Sequence, residues 1–289
     1  METTTTRVIS PKEQLLRRYF RKIPVRPTYT YSIRLSRFGG GLSLAGLLLL
    51  LTSMQTARGG FLGLILLVAG GVLLFHSVRR WLGEKYTFEK ALSASFPQPP
   101  DQEVDRWFGE ALGRLRNYSL ERLDLTDEEV EGIEEIPPII GPILWAVGGV
   151  PWEDLVSKTG QDGMARYGVY QISYLWLSEE SLGIFRCDYN FVRDAVLNEE
   201  THEYYYQDIV AVSTREESSA LTLASGQSLT SVQEFYISVS NDRYFTMTIG
   251  SEQLKQLTGA ERVLDNGTEQ VVRALRAKLK EKKGTLLGT

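Results

Sequence analysis

The sequence predicts an α+β membrane protein: a two-helix transmembrane hairpin, then a helical linker and an antiparallel β-domain capped by a C-terminal helix. Three observations carry this. Two stretches of 20 residues without a charge lie side by side, between Arg37 and Arg58 and between Arg58 and Arg79. From about Ala165 the chain turns to short runs rich in Tyr, Ile, Val, Phe and Thr, broken by turn residues. Charge is also divided along the chain. Residues 1–80 carry 12 Lys/Arg and 2 Asp/Glu, whereas residues 81–289 carry 20 and 34, so the net charge of −4 is a cancellation.

Composition narrows the class further. At 289 residues, 43% hydrophobic and 24% charged, the chain is neither collagen-like nor low-complexity nor wholly disordered. A mean hydropathy of −0.17 argues against a multi-span transporter. A single cysteine, Cys187, leaves no intramolecular disulfide framework and no Cys-rich zinc module.

Residues 1–37 form a basic N-terminal segment. Within it, Leu15, Leu16, Tyr19, Phe20 and Ile23 share one helical face opposite the charges. Such a helix before a span is expected to rest on an anionic inner leaflet, each basic residue adding about 1 kcal/mol near that surface. The expected membrane-surface residues are Arg17, Arg18, Arg21, Lys22, Arg34 and Arg37, with Arg79 and Arg80 after the second span. The plainer alternative is a basic tail that only sets topology.

Residues 38–80 form the hairpin. At 1.5 Å per residue, each charge-free stretch matches a hydrocarbon core of about 30 Å. Basic residues crowd the outer flanks, and only Arg58 lies in the connection, so both termini are expected in the cytoplasm with a short turn near Gln55–Gly60 outside. A cleaved signal peptide fits poorly, because 37 residues precede the first apolar run. A bacterial inner membrane is expected, with an organellar membrane such as the thylakoid as the alternative.

Glycine is frequent in the hairpin, and Gly59, Gly63 and Gly70 are expected to serve close helix packing, with Gly59 and Gly63 at GxxxG spacing. This packing is either between copies or partners, or between the two helices of one chain. Neither span carries an acidic residue, and His76 is the only ionisable group within them, which argues against a proton relay. A pore lined by glycine backbone in an oligomer stays open as a reading.

Residues 81–164 read as a helical and Pro/Gly-rich linker. Three prolines in Ser93–Pro100 interrupt any helix. A helix then follows, with Asp101 as expected N-cap and with Val104, Trp107, Phe108, Ala111, Leu112 and Leu115 at helical spacing. Residues 136–152 carry no charge but four prolines. They are either an interfacial loop anchored by Trp145 and Trp152 or an apolar linker buried against the next domain.

Residues 165–289 form the β-domain: six or seven strands in a meander, closed by a helix over about 260–282. The strand pair YLWLSEESLGIFRCDY, the strand YYYQDIVAVS and the closing helix resemble bacterial pleckstrin-homology-like (PH-like) domains, and a two-span hairpin ahead of such a domain is an arrangement found among bacterial proteins. The resemblance implies a PH-like barrel serving as a membrane-tethered binding or scaffolding domain, and it supplies no catalytic residues. One departure matters. The first hairpin turn is Ser178-Glu179-Glu180-Ser181, where a phosphoinositide site would want Lys or Arg. The acidic surface should also repel nucleic acid.

Chemistry is sparsely signalled. His202-Glu203 is not the zinc-protease HExxH helix, and a triad of His202 with Asp188 or Asp208 lacks a GxSxG elbow. Cys187 lies in an expected strand and reads as a small buried side chain. No catalytic residue, metal or cofactor is therefore expected. Alternation puts the middle of Tyr204, Tyr205 and Tyr206 on the face opposite the other two, and this trio is the expected partner surface. The expected partners are anionic lipid, an unidentified protein and, in the oligomer reading, a second copy. The first functional reading is a non-enzymatic scaffold, assembly factor or accessory subunit. The alternative is an oligomeric effector whose β-domain senses a ligand or partner and whose hairpins form or perturb a pore.

Overall fold

A computed structural model describes residues 9–56, 60–126, 129, 136–240, 243–262 and 265–286. The chain divides into two compact units, Arg21–Gln98 and a second built from Met1–Phe20 with Pro99–Thr289. The fold is α+β, with two long apolar helices followed in sequence by antiparallel sheets.

The first unit is a helical hairpin of α2 (Thr30–Thr56) and α3 (Gly60–Ser95). Helix α3 stops just before Phe96-Pro97, as the proline run requires. The chain before α2 runs back along α3. Arg21 donates to the Ala94 carbonyl at 3.3 Å, and the rings of Tyr29 and Trp81 lie 6.3 Å apart.

The second unit is layered. Helices α1 (Pro11–Phe20) and α4 (Asp101–Arg122) cover one face of a four-stranded sheet. Its strands are β1 (Ile139–Pro142), β4 (Val169–Leu177), β5 (Ser181–Asn190) and β6 (Ala195–Tyr205), ordered β1-β4-β5-β6. Strands β2 (Ser157–Thr159) and β3 (Ala165–Tyr167) form a separate pair. A three-stranded sheet of β7 (Ile209–Thr222), β8 (Ser228–Val239) and β9 (Tyr244–Gly250) packs with the opposite face. Short helix α5 (Glu252–Thr258) and C-terminal α6 (Thr268–Leu286) complete the unit.

Alternation along β4 and β5 supplies both cores. Tyr170, Ile172, Tyr174 and Trp176 share a core with α4, to which Tyr174 donates at the Leu112 carbonyl (2.6 Å) and Trp176 at Ser119 (3.1 Å). Leu175, Leu177, Leu182 and Ile184 enter the other core, with Phe235, Ile237 and Met247 and with Val271 and Leu275 of α6. A sheet covered on both faces belongs to stacked layers. The expected PH-like barrel is accordingly corrected: the two sheets do not close, and β6 and β7, joined through the 3₁₀ turn Tyr206–Asp208, each end a sheet.

One open alternative is decided and two smaller expectations change. Residues 136–152 contribute an edge strand, with Ile139, Ile140, Ile143 and Leu144 buried in this unit, so the buried-linker reading describes them. Strand β1 passes so close to β9 that a Cβ at Gly141 would collide with the Thr248 carbonyl, a contact only glycine allows. The closing helix starts at Thr268 and not near 260, because Gly259 ends α5 in the left-handed region and Asn266 caps the next start at the Thr268 amide (3.1 Å). Finally, Asp101 is the first helical residue and Pro100 occupies the N-cap, which frees the Asp101 carboxylate for Tyr19 (2.7 Å) and the Gln161 amide (2.8 Å).

Ion pairs tie the helices to the sheets. Arg166, almost fully buried, bonds Asp105 of α4 and Asp162, each at 2.7 Å. Those bonds hold the Asp162 carboxyl well below the usual carboxylate range. The fully buried Asp154 carboxylate accepts from Arg193 and from Asn190 (2.9 Å), with Arg17 of α1 at 3.4 Å.

Candidate functional site

The hairpin helices meet along a seam of small residues. Ser32, Gly39 and Gly46 of α2 recur every seventh position, as do Gly63, Gly70 and Ser77 of α3, and all six are buried. The antiparallel register pairs Ser32 with Ser77, Gly39 with Gly70 and Gly46 with Gly63. Ser77 donates to the Ser32 carbonyl at 2.6 Å. A Cβ on Gly46 would lie 2.7 Å from the Gly63 carbonyl oxygen, and one on Gly39 would lie 3.0 Å from that of Gly70. Of the glycines expected to pack helices, Gly63 and Gly70 therefore pack within one chain, and Gly59 lies outside the described residues. Gly40, Gly41 and Gly71 face open space. Leu48, Leu51, Phe61, Leu62 and Phe75 point outward, and both helices are long and apolar enough to cross a membrane.

The basic residues separate into two groups. In α1 the stripe expected to face lipid is buried instead: Leu16, Tyr19 and Phe20 sit in the core with α4. Arg17 is spent on Glu13 (3.0 Å) and Asp154 (3.4 Å), and Arg18 is half-buried. An apolar helical stripe fits a protein core as well as a leaflet, and here the core holds it. In the hairpin unit, Arg21, Lys22, Arg34, Arg37, Arg79 and Arg80 are exposed. Arg80 lies over the Tyr31 ring at 4.5 Å and bonds Glu84 at 2.9 Å. The seam sets Arg37 level with Val72, seven residues or about 10 Å along the helix from Arg79.

The three tyrosines diverge as alternation requires. Tyr206 is buried and donates to the Ser178 carbonyl at 2.9 Å. Tyr204 is half-buried and stacks on His202 with centroids 5.7 Å apart, while Tyr205 is 53% exposed. Tyr204 and Tyr205 end β6, an edge strand with an open groove on each side, and Tyr206 begins the 3₁₀ turn that follows. One groove, of about 590 Å³, is lined by Thr201, His202, Glu203, Tyr204, Arg243 and Tyr244. The other, of about 550 Å³, lies at the β4–β5 turn and is lined by Glu129, Ser178, Glu179, Glu180, Glu203 and Tyr205. Sequence reasoning found the tyrosines and the acidic turn but not the grooves, which need β6, the β4–β5 turn and the start of β9 brought together.

The chemistry-bearing side chains are engaged in packing. Cys187 is fully buried and burial pushes its thiol up to about 12. His202 lies 3.4 Å from Glu200. The two carboxylates considered as its triad partners bond elsewhere: Asp188 to Gln171 and Asn198, and Asp208 to Ser240. A smaller cavity of about 130 Å³ lies beside α5, lined by Ile140, Tyr167, Tyr170, Gln233, Leu254 and Asn266. Among the described residues no group of three His, Cys, Asp or Glu side chains is placed to hold a metal.

No protein-family model, no curated protein and no solved structure matches this chain.

Proposed function

We propose that the protein is a membrane-anchored, non-enzymatic scaffold, assembly factor or accessory subunit, whose hairpin holds an open, PH-like β-unit at a bacterial inner or thylakoid membrane. The observation that carries this is the combination of an internally sealed apolar hairpin with a β-unit that leaves Tyr205 and the edge of β6 open. The seam satisfies the hairpin's small-residue faces within the chain, so its outward leucines and phenylalanines ask only for lipid. Both termini lie in the cytoplasm on this reading. Arg34, Arg37, Arg79 and Arg80 then meet the anionic leaflet, Arg34 and Arg37 extending their side chains along the helices to headgroup level. The PH-like plan is supported by the order of elements: a meander, a second three-stranded sheet, then a C-terminal helix over the shared core.

The alternative, a pore-forming effector, draws on Gly40, Gly41 and Gly71, which leave room for a second copy to approach. Two measurements test the first reading. Affinity purification of the full chain from native membranes, followed by mass spectrometry, is expected to return a stoichiometric protein partner. Protease added outside intact spheroplasts is expected to spare residues 165–289, and their digestion would refute the orientation.

A further inference from the structure

We infer that the free edge of β6 accepts an extended peptide as an added strand, and that the segment it fits alternates basic with aromatic or aliphatic residues. The inference rests on the partner-binding reading above and specifies the chemistry of the partner.

Among the described residues, strand β6 hydrogen-bonds β5 on one side and no strand on the other. Of its last residues, His202 and Tyr204 line one groove and Tyr205 lines the other, while Glu203 stands in the lining of both. A strand laid on this edge continues that alternation, so every second side chain enters each groove. The first groove, whose lining also includes Arg243 and Glu203, offers the His202–Tyr204 stack and Tyr244, which is 59% exposed and stacked on Tyr236 at 5.6 Å. That lining suits an aromatic or aliphatic side chain. The second offers Glu129, Glu179, Glu180 and Glu203 around the exposed Tyr205 ring. That lining suits Lys or Arg.

Two contrasts within the molecule single out this stretch. The other glutamates of β6 are neutralised inside the chain, Glu199 by Arg122 (3.0 Å) and Glu200 by Arg186 (2.7 Å). The four groove carboxylates have no ion-pair partner among the described residues; Glu203 accepts only from Ser181 (2.9 Å) and Glu129 only from Thr126 (2.8 Å). The neighbouring edge is also closed. On β7 the carbonyls of Ile209 and Val212 are taken by Lys283 (2.6 Å) and Arg276 (3.0 Å) of α6. Covering an edge in this way blocks strand addition, and among the described residues the end of β6 has no such cover.

The test uses the full chain in detergent and a fluorescent synthetic peptide alternating lysine with phenylalanine and valine, read by anisotropy. Saturable binding that weakens as salt rises is expected. A triple variant, Glu179→Lys, Glu180→Lys and Glu203→Lys, should bind about tenfold or more weakly, as like charges now face the peptide. These side chains are at the surface, and an unchanged melting temperature verifies the variant's fold. Strand addition makes a sharper demand. Of two peptides, one N-methylated at every lysine and one at every apolar residue, one should lose binding and the other keep it, because alternate amides face β6. Equal affinity of the two methylated peptides, or unchanged binding by the triple variant, overturns the inference. A native partner that co-purifies equally with wild type and triple variant also overturns it, while leaving the partner-binding reading intact. If wild type retains no native partner, it is that reading that fails, and the peptide measurements still decide the edge.

Discussion

Tyr19 donates a hydrogen bond to Asp101 at 2.7 Å, although 82 positions and the whole apolar hairpin separate them in sequence. The hairpin is thus an insertion between two helices of one core, and its flanks are joined on the β-unit's side. Arg17 with Asp154 makes a second tie from α1, and Lys158 lies over the Tyr19 ring at 4.0 Å. Helix α1 is part of the folded unit and not a tail.

Tyr19→Phe tests this tie. The ring and its edge-on contact with Phe20 at 5.2 Å are kept, but the Asp101 carboxylate loses one of its two donors and keeps the Gln161 amide. Hydrogen bonds to charged groups contribute about 1.5–3 kcal/mol. At about 2–4 °C per kcal/mol for a unit of this size, the β-unit should melt several degrees lower. Calorimetry on the full chain in detergent reads the shift, and an unchanged melting temperature would show that α1 is not held through this bond.

The hairpin seam predicts an asymmetry between glycines. Gly46→Leu has no room, since even its Cβ would lie 2.5 Å from the Leu67 amide nitrogen, whereas Gly71→Leu meets nothing within 4 Å. Overpacking a close helix contact costs about 1–3 kcal/mol and forces the helices apart. The first variant should weaken a crosslink between cysteines placed across the seam, and the second should leave it unchanged. Equal crosslinking in both would mean that the helices do not meet at Gly46 and Gly63.

These residues also show what was legible in the sequence. The hairpin was, because two charge-free runs between Arg37, Arg58 and Arg79 need no tertiary information. The seven-residue repeat of Ser32, Gly39 and Gly46 was not, because its meaning depends on an antiparallel partner, whereas Gly59-x-x-x-Gly63 stands out by spacing alone. In α1 the apolar stripe was legible, but not what covers it, since leaflet and core demand the same pattern. Strand β1 was hidden by its prolines, which an edge strand tolerates at its end as at Pro142. The β6 grooves were illegible because their walls come from four separate stretches of chain: Glu129, the β4–β5 turn, the end of β6 and the start of β9.

Asp162 predicts an acid-side pH dependence. Arg166 holds its folded carboxyl well below the ordinary value, so near pH 4 the unfolded chain takes up the proton first. The unfolded state then binds more protons. The contribution of this contact is present above about pH 4 and is lost as pH falls toward the folded value. Asp162 is 39% exposed, so solvent screening keeps the contribution modest. Urea melts of Asp162→Asn should show a shallower fall in stability from pH 5 to 3 than wild type, and parallel curves would remove Asp162 from the acid response.

Cys187 gives a prediction on the alkaline side with a clean readout, being the only cysteine. It is fully buried opposite Ile172 of β4, in the core shared with α4, and its thiol is pushed up to about 12, mainly by burial. The native thiol should therefore resist a thiol-specific chromogenic reagent at pH 8 and react fully once the chain is denatured. Above about pH 8.5 the unfolded thiol ionises while the folded one keeps its proton. The folded state then binds more protons, so this contribution to stability falls as pH rises toward 12. Cys187→Ser places a hydroxyl in this buried core, at a cost of about 1–3 kcal/mol if the hydroxyl finds no partner. Cys187→Ala should cost less. Rapid labelling of the native chain at pH 8 would show that the α4 layer opens readily, and that the sheet is covered on one face only part of the time.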